Sequence, residues 1–404
     1  MSHDRQVKHH VVIATTPELA FEAVTQASEL REWFSDEAWT EVRPCGRYEV
    51  RWDRGYRAEG KFTALDAPRR AAFTWKGTGE PGETAVEFTV EAVEGGVKVG
   101  MVHGGFGPGD EWDQALTESD KGWLTGLENL KSMLETGVDL RIARRSFLGI
   151  VPDLLDAERA AKEGIAVERG IYIQGTLDNT AARAAGIVKG DVIVALGGLE
   201  TLGSQEMTAA LRAHHAGDVV DVELVRGQVR ETVRLTLGEW PRPEVPGTAE
   251  GLADFVHKLY SETDAELRAA IEGLADAEAG QRPSAEEWSV KEVLAHLSLV
   301  ERDTQFYVSS YALDGWLDSG PGNTATIPGR LAAVQAIAPT LASLLDRYLA
   351  DEQETVALLR GLSEETVAHK ARTNRIGQTM AFLPIHTRGH IEQIKATVKA
   401  VRAG

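Results

Sequence analysis

The sequence is short of cysteine, of positive charge and of long apolar runs. Its single cysteine, Cys45, excludes an intrachain disulfide among its 404 residues. The 43 lysines and arginines are outnumbered by 62 aspartates and glutamates, and a formal net charge of −19 argues against nucleic-acid binding through a basic surface. No apolar run approaches the roughly 20 residues that span a bilayer, and the N-terminus lacks a signal-peptide core. These absences favour a cytoplasmic protein with no membrane span.

The chain changes character twice, which predicts three modules. Residues 1–138 mix alternating strands with a helix near each end, whereas residues 139–243 are rich in glycine, short strands and β-branched residues. Residues 248–404 are rich in alanine, leucine and glutamate at helical spacing. The prolines between Trp240 and Gly247 cannot continue a helix or a central strand, so this stretch is expected to be an exposed linker between separately folded units. The sequence therefore predicts a multidomain α+β protein.

The first module carries a set of short motifs, namely Trp33-Phe34, Cys45-Gly46-Arg47-Tyr48, Gly60-Lys61-Phe62, Phe73-Thr74-Trp75, His103-Gly104-Gly105-Phe106 and Gly122-Trp123. Together they resemble the START-like (SRPBCC) superfamily, in its branch related to the activator of the heat-shock chaperone ATPase. The resemblance implies a helix-grip fold, in which a curved antiparallel sheet wraps around a long C-terminal helix and encloses a cavity. Five aromatic residues could line that cavity around a small apolar ligand, or could equally form a solid core: Trp33, Trp39, Trp52, Trp75 and Trp123.

The second module is marked by the run TAARAAGIVKGDVIVALGG at residues 180–198, preceded by Phe147-Leu148-Gly149-Ile150. These motifs resemble a β-rich PDZ domain of the bacterial protease-associated type. The resemblance implies that backbone N–H groups of the Phe147–Ile150 loop receive the carboxylate of a protein C-terminus, and that the next strand accepts the peptide as an added strand. Met207 and Leu211 would lie on the facing helix, as groove or core residues. A PDZ fold that only spaces or docks its neighbours is the alternative.

Helical spacing in the third module predicts four long helices, at residues 249–273, 289–313, 329–362 and 379–402. His386 and His390 are four residues apart on the last helix, so their imidazoles lie one turn apart on one face. His296, on the second helix, could supply a third nitrogen and leave one coordination position open.

Helix phase also suggests residues that could orient these ligands or a bound water. Asp303 follows His296 by seven residues, and Gln393 follows His386 by seven, so each returns to the face of its histidine. Glu301 is a further candidate, although it lies off that face.

The histidine pattern, with Trp288-Ser289 ahead of the second helix and HTRGHIEQI at residues 386–394, resembles the DinB-like superfamily. The resemblance implies an all-α four-helix bundle with a divalent metal, and relatives that include thiol-dependent isomerases and transferases. Zinc or nickel is expected, although neutral imidazole also suits iron and copper. Two functions stay open. The bundle could catalyse thiol-dependent transfer or hydrolysis on a small molecule, or the chain could be a non-enzymatic sensor or chaperone-linked adaptor with a structural metal.

Overall fold

The computed structural model describes residues 5–53, 55–240, 242–285, 287–314 and 327–403, so that Pro241 of the predicted linker lies outside the described residues. The chain divides into two compact units. Unit 1 combines Met1–Val138 with Pro243–Gly404, and unit 2 is Asp139–Arg242. The first and third predicted modules thus lie in one unit, which sequence patterns did not indicate. The exact module boundaries stay predictions.

The N-terminal part of unit 1 is a single antiparallel sheet with a long helix after it. Its elements are β1 (Gln6–Ile13), α1 (Pro17–Thr25), α2 (Ala27–Trp33), β2 (Glu37–Thr40), β3 (Arg47–Arg51), β4 (Arg57–Asp66), β5 (Arg70–Gly77), β6 (Thr84–Val93), β7 (Gly96–Gly104) and α3 (Asp110–Thr136). The strand order is β1-β7-β6-β5-β4-β3-β2. Alternate residues of β7 are buried, and α3 turns Trp123, Leu127 and Leu130 into the same core.

Local sequence explains where these elements begin and end. Thr16 caps α1 by accepting a hydrogen bond from the backbone N–H of Leu19, and Pro17 occupies the first helical position. Gly137 ends α3 in the left-handed conformation that glycine adopts at little cost. Helix α2 and strand β2 were not predicted, because neither has a clear apolar period over its short length.

Unit 2 is a small β-rich domain. Its elements are α4 (Leu140–Ala143), β8 (Ser146–Phe147), β9 (Ile150–Leu154), α5 (Ala157–Glu163), β10 (Ile171–Thr176), α6 (Ala181–Ala184), β11 (Asp191–Leu196), β12 (Leu199–Glu200), α7 (Ser204–Arg212), β13 (Val219–Arg226), β14 (Val229–Thr236) and β15 (Gly238–Glu239). The main sheet has the order β14-β13-β11-β10-β9, with β12 on β11, and β8 pairs with β15. Strand β9 is therefore an edge strand of the main sheet.

The C-terminal part of unit 1 is helical. Its elements are α8 (Ala249–Ile271), α9 (Asp276–Ala279), α10 (Val290–Asp314), α11 (Ile327–Ile337), α12 (Leu341–Arg360), α13 (Glu364–Ala368) and α14 (Lys370–Ala403). The predicted third helix is broken into α11 and α12 beside Pro339, which cannot donate a helical hydrogen bond. The predicted fourth helix begins earlier, at Lys370, and contains Pro384. None of the described helices is long and apolar enough to cross a membrane.

The start of α10 is fixed by a reciprocal cap. The backbone N–H of Glu292 donates to the Ser289 hydroxyl at 3.2 Å, and the backbone N–H of Ser289 donates to the Glu292 carboxylate at 2.9 Å. Ser289 and Glu292 thus form a capping box, which sets the helical phase on which His296 lies two turns later. The mixed α+β architecture predicted from the sequence is confirmed.

Candidate metal centre

Three histidine side chains converge between α10 and α14. The Nε2 atom of His386 lies 3.4 Å from Nε2 of His296 and 3.2 Å from Nε2 of His390. One nitrogen from each of the three rings falls within 4.8 Å of the others. The structure thus brings together the three residues that the sequence predicted as metal ligands.

These distances suit metal coordination better than hydrogen bonding among the rings. Two nitrogens bound to one zinc ion at 2.0–2.1 Å with tetrahedral angles are roughly 3.3 Å apart. A neutral imidazole carries a single N–H, so one proton on Nε2 of His386 cannot satisfy both neighbouring rings. The donor set, three imidazole nitrogens, is also one that borderline divalent metals favour. The residues present therefore fit a divalent ion.

Gln393 and Trp288 contact the histidine rings of the candidate metal centre. The Nδ1 atom of His390 lies 2.8 Å from the Gln393 side-chain oxygen, so Nδ1–H is the donor and Nε2 keeps its lone pair for a ligand. The half-buried ring of Trp288 lies 5.1 Å from the His296 ring and stacks at 6.4 Å on the His390 ring. Sequence reasoning identified Gln393 by helix phase. It used Trp288 only as part of a motif and assigned it no place at the site.

The electrostatics of the site keep two of its imidazoles neutral. Burial lowers the pKa of His296 to about 4, and the neighbouring His390 and His386 lower it further in the same direction. Burial, followed by the proximity of His390, also lowers the pKa of His386. Neutral imidazole is the form that binds a metal, so His296 and His386 can bind one at neutral pH without first losing a proton.

Asp303 and Glu301, the other two residues predicted to orient the metal ligands or a bound water, have other partners. Asp303 is exposed and forms a two-pronged ion pair with Arg330 of α11, with nitrogen–oxygen distances of 2.6 and 3.0 Å. Glu301 points into the bundle, where its carboxylate accepts hydrogen bonds from the hydroxyls of Tyr260 at 2.8 Å and Thr355 at 2.9 Å. Of the three candidates, only Gln393 has a hydrogen bond to a metal-site histidine.

A second buried carboxyl group lies near Glu301, and sequence reasoning missed it. Glu352 of α12 is 3% exposed, and its carboxyl group lies beside the Asp264 carboxyl of α8 and the Tyr348 hydroxyl of α12. Glu352 Oε1 and Asp264 Oδ1 find no other hydrogen-bond donor among the described residues, so a proton on one of the two carboxyls is needed to join them. Burial raises the pKa of Glu301 to about 7. Burial and the Asp264 hydrogen bond raise the pKa of Glu352 to about 10. Its helix phase was the available signal, because Glu352 falls on the buried face of α12 with Tyr348, Thr355 and Leu359.

The predicted peptide-binding loop of unit 2 has two backbone N–H groups without acceptors among the described residues. The N–H groups of Leu148 and Gly149 donate to no acceptor among the described residues, whereas their carbonyls accept from Ala182 and Leu177. Gly149 has φ of 83°, and a Cβ there would collide with the Thr180 side chain. The loop leads directly into β9, which is an edge strand and can accept an added strand.

The side chains predicted to line the peptide groove divide between core and surface. Leu148 and Met207 are buried in the core of unit 2, and Ile150 and Leu211 are partly buried against that core. The Phe147 ring is half-buried and makes an edge contact with the Trp240 ring at 4.8 Å.

The tryptophans predicted to line a helix-grip cavity lie in different environments. Trp33, Trp75 and Trp123 are buried, and the Phe34 ring stacks on Trp123 at 4.9 Å. The Trp75 and Trp123 rings are 5.6 Å apart. Trp52 is half-buried and Trp39 is 40% exposed, with the Arg51 guanidinium over its ring. The buried rings contact one another in the core between sheet and helix.

Comparison with known families identifies all three modules. Residues 14–135 match the Activator of Hsp90 ATPase homolog 1-like protein family, residues 146–237 match the PDZ domain and residues 259–394 match the DinB superfamily. The three resemblances seen in the sequence are confirmed, in that order. The DinB-like superfamily is often metal-binding, and His296, His386 and His390 lie within its matched residues.

Three solved structures that are similar to this chain each cover about a third of it. Protein MLL2253 from Mesorhizobium loti is 23% identical with a TM-score of 0.30, and the match covers 32% of this chain and 96% of that one. The Aha1 dimer from Colwellia psychrerythraea is 21% identical, with a TM-score of 0.29 and the same coverage. PFC0360w, an HSP90 activator from Plasmodium falciparum, is 20% identical, with a TM-score of 0.29 and coverages of 32% and 96%. No curated protein matches the chain.

Proposed function

We propose that the protein is a metal-dependent enzyme whose helical bundle carries out thiol-dependent transfer or hydrolysis on a small molecule. The observation that supports this most directly is the set of Nε2 distances of 3.2 and 3.4 Å among three histidines. A bound zinc or nickel ion would supply a Lewis acid that lowers the pKa of a water or thiol. The chain's own contribution is to orient the ligands: Gln393 fixes the tautomer of His390, and Trp288 packs against the His296 and His390 rings.

The main alternative is a sensor or adaptor with a structural metal, and the ligand count favours the enzyme. Structural zinc sites are normally closed by four protein ligands, whereas catalytic sites keep one position for water or substrate. Among the described residues, the group of side chains able to hold an ion contains only His296, His386 and His390. His386 is exposed, so a small molecule could approach from its side.

Replacing His390 by alanine is expected to remove the metal without unfolding the bundle. His390 is only partly buried, and the helices bury their own apolar faces, so helix content should be unchanged. Elemental analysis of dialysed protein should show about one divalent ion per chain in the wild type and at least about a tenfold lower content in the variant. The exposed His10 provides the control, because His10→Ala should retain the metal. Equal metal content in the wild type and His390→Ala would sink the proposal.

The proposal gives unit 2 the role of binding a protein C-terminus. The N–H groups of Leu148 and Gly149, which have no acceptor in the part of the chain that the structure describes, adjoin the edge strand β9, and this supports carboxylate recognition followed by strand addition. In the helix-grip module the proposed ligand is a small apolar molecule. Its pocket would have to form between Phe34, Trp75 and Trp123, whose rings are in contact.

Peptides with a free C-terminal carboxylate are expected to bind unit 2 about 10- to 100-fold more tightly than the same peptides with an amidated end. Amidation removes the charge that the two N–H groups would bind, and charge-assisted hydrogen bonds contribute about 1.5–3 kcal/mol. Fluorescence anisotropy with a peptide library measures the ratio in the full chain. Scrambled peptides with the same charge and a free carboxylate serve as the control for non-specific attraction. Hits that bind equally well after amidation would contradict this role.

A further inference from the structure

Two buried glutamates on a short helix are paired with residues from the other end of the chain. Glu29 and Glu32 of α2 are 7% and 5% exposed. Carboxylates are almost never buried to this extent without a partner, because the charged form loses its hydration. A seven-residue helix that buries two of them therefore requires cations or donors packed against it.

Those partners come from α10, from α14 and from His369, which lies just before α14. Arg372 binds the Glu29 carboxylate, and His369 Nδ1 lies 3.6 Å from it. Arg375 donates to Glu32 at 2.9 Å, and the Tyr311 hydroxyl donates to the other oxygen of the same carboxylate. Arg372 is itself 8% exposed and Tyr311 is 4% exposed, whereas the Arg375 side chain is 43% exposed, so the cluster is buried except on the side of Arg375.

Apolar packing surrounds this ionic cluster. Ala371 of α14 is buried in the core of the N-terminal module, together with Trp33, Leu130 and Met133. One small cavity is lined from both parts of unit 1, by Leu19, Ala23, Trp33 and Leu130 on one side and by the start of α14 on the other. The beginning of α14 thus fills the crevice between α1–α2 and α3.

The end of the first segment of unit 1 and the start of the second segment both lie against the beginning of α14. Gly137, next to the last residue of the first segment, packs so closely that a Cβ would collide with the Lys370 carbonyl. At the start of the second segment, Gln378 donates to the Pro243 carbonyl at 3.0 Å, and Lys370 donates to the Gly247 carbonyl at 3.2 Å. The chain leaves unit 1 and re-enters it near one place, as expected of an inserted domain.

We propose that residues 1–138 and 243–404 are mutual binding partners, joined through the cluster of Glu29, Glu32, Tyr311, Arg372 and Arg375, and that they stay associated when the chain between them is cut. Unit 2 is then an insertion that the assembly of unit 1 does not need. This differs from the expectation of separately folded modules, in which a cut in the linker near Trp240 would free the bundle.

The test uses the full chain with specific protease sites placed after Val138 and before Pro243. After both cuts, the segments 1–138 and 243–404 are expected to elute together as a 1:1 complex at about 1 µM, measured by size-exclusion chromatography with light scattering. Segments that elute separately, each folded by circular dichroism, would overturn the proposal.

Charge reversal then tests the ionic cluster. Glu32→Arg would face Arg375 and is expected to weaken association at least about 100-fold, since it puts a cation in the buried position of the Glu32 carboxylate, beside a second cation. Glu18→Arg, on the exposed face of α1, should leave it unchanged. The exchange Glu32→Arg with Arg375→Glu should recover part of the loss, which a folding defect would not. Association of Glu32→Arg as tight as that of Glu18→Arg would refute the role of the cluster.

Discussion

Replacing Glu352 by glutamine is expected to make the protein progressively more stable than the wild type as the pH rises from 5 to 8. In the folded state, burial and the hydrogen bond with Asp264 raise the pKa of Glu352 to about 10. An unfolded glutamate ionises near pH 4.3, so above that pH the folded state holds a proton that the unfolded state releases. The stability that this proton provides is full below pH 4.3 and is lost as the pH rises toward 10. Glutamine does not titrate and avoids this loss.

The expected difference in the free energy of unfolding between Glu352→Gln and the wild type is large, because the wild type loses stability with each pH unit across the range. Each unit between the two pKa values removes up to about 1.4 kcal/mol of the free energy of unfolding, so the gap between variant and wild type approaches about 4 kcal/mol from pH 5 to pH 8. The glutamine amide can donate to Asp264, and its oxygen can accept from Tyr348, so the packing is retained. Urea unfolding followed by the helical circular dichroism signal measures the gap at each pH.

The control for this experiment lies on the same helix. Glu354 is exposed, and Glu354→Gln should change the free energy of unfolding by less than about 0.5 kcal/mol throughout the same pH range. A Glu352→Gln variant that tracks the wild type across the range would show that Glu352 ionises normally in the folded state. A variant destabilised equally at every pH would show instead that the substitution damages the packing and that Glu352 holds no additional proton in the folded state.

The histidine cluster was predictable from sequence because short-range geometry determines most of it. A four-residue spacing on a helix fixes the relation between His386 and His390, and the capping box at Ser289 fixes the phase of His296. Helix phase also pointed to Gln393, whose side-chain oxygen lies 2.8 Å from Nδ1 of His390. It could not show that Asp303 pairs with Arg330, because that contact depends on where α11 packs.

The buried charges were not predictable, since each depends on partners distant in sequence. Glu29 and Glu32 resemble the solvated charges of any short helix until Arg372 and Arg375, over 300 residues later, pack against them. The same reason explains why sequence patterns separated the first and third modules, whereas the structure joins them in unit 1. Composition and periodicity report local structure, and they contain no information on which modules bind each other.

Replacing His103 by glutamine is expected to remove a large part of the acid sensitivity of the N-terminal module. His103 is fully buried, and its hydrogen bonds fix it as neutral. Trp123 donates to Nδ1 at 3.0 Å, so Nε2–H must donate to the Thr84 hydroxyl at 2.7 Å, and that hydroxyl donates to the Trp75 carbonyl at 3.1 Å. A second proton would have no acceptor, because Nδ1 already accepts from Trp123. Burial accordingly lowers the pKa of His103 to about 4.

The sign of the effect follows from the lowered pKa. An unfolded histidine takes up a proton near pH 6.5, whereas folded His103 takes one up only near pH 4, so the stability that His103 provides is full above pH 6.5 and is lost as the pH falls through 4. Between these two pKa values the wild type should lose about 3 kcal/mol of its free energy of unfolding. His103→Gln has no titrating group at this position, so it should not show this loss on acidification, whatever its stability at pH 7. Unfolding curves at pH 7 and pH 4.5 measure the difference, with His10→Gln as an exposed control. If His103→Gln and wild type lost equal stability between the two pH values, His103 would have to be protonated in the folded state, against the tautomer that Trp123 and Thr84 impose.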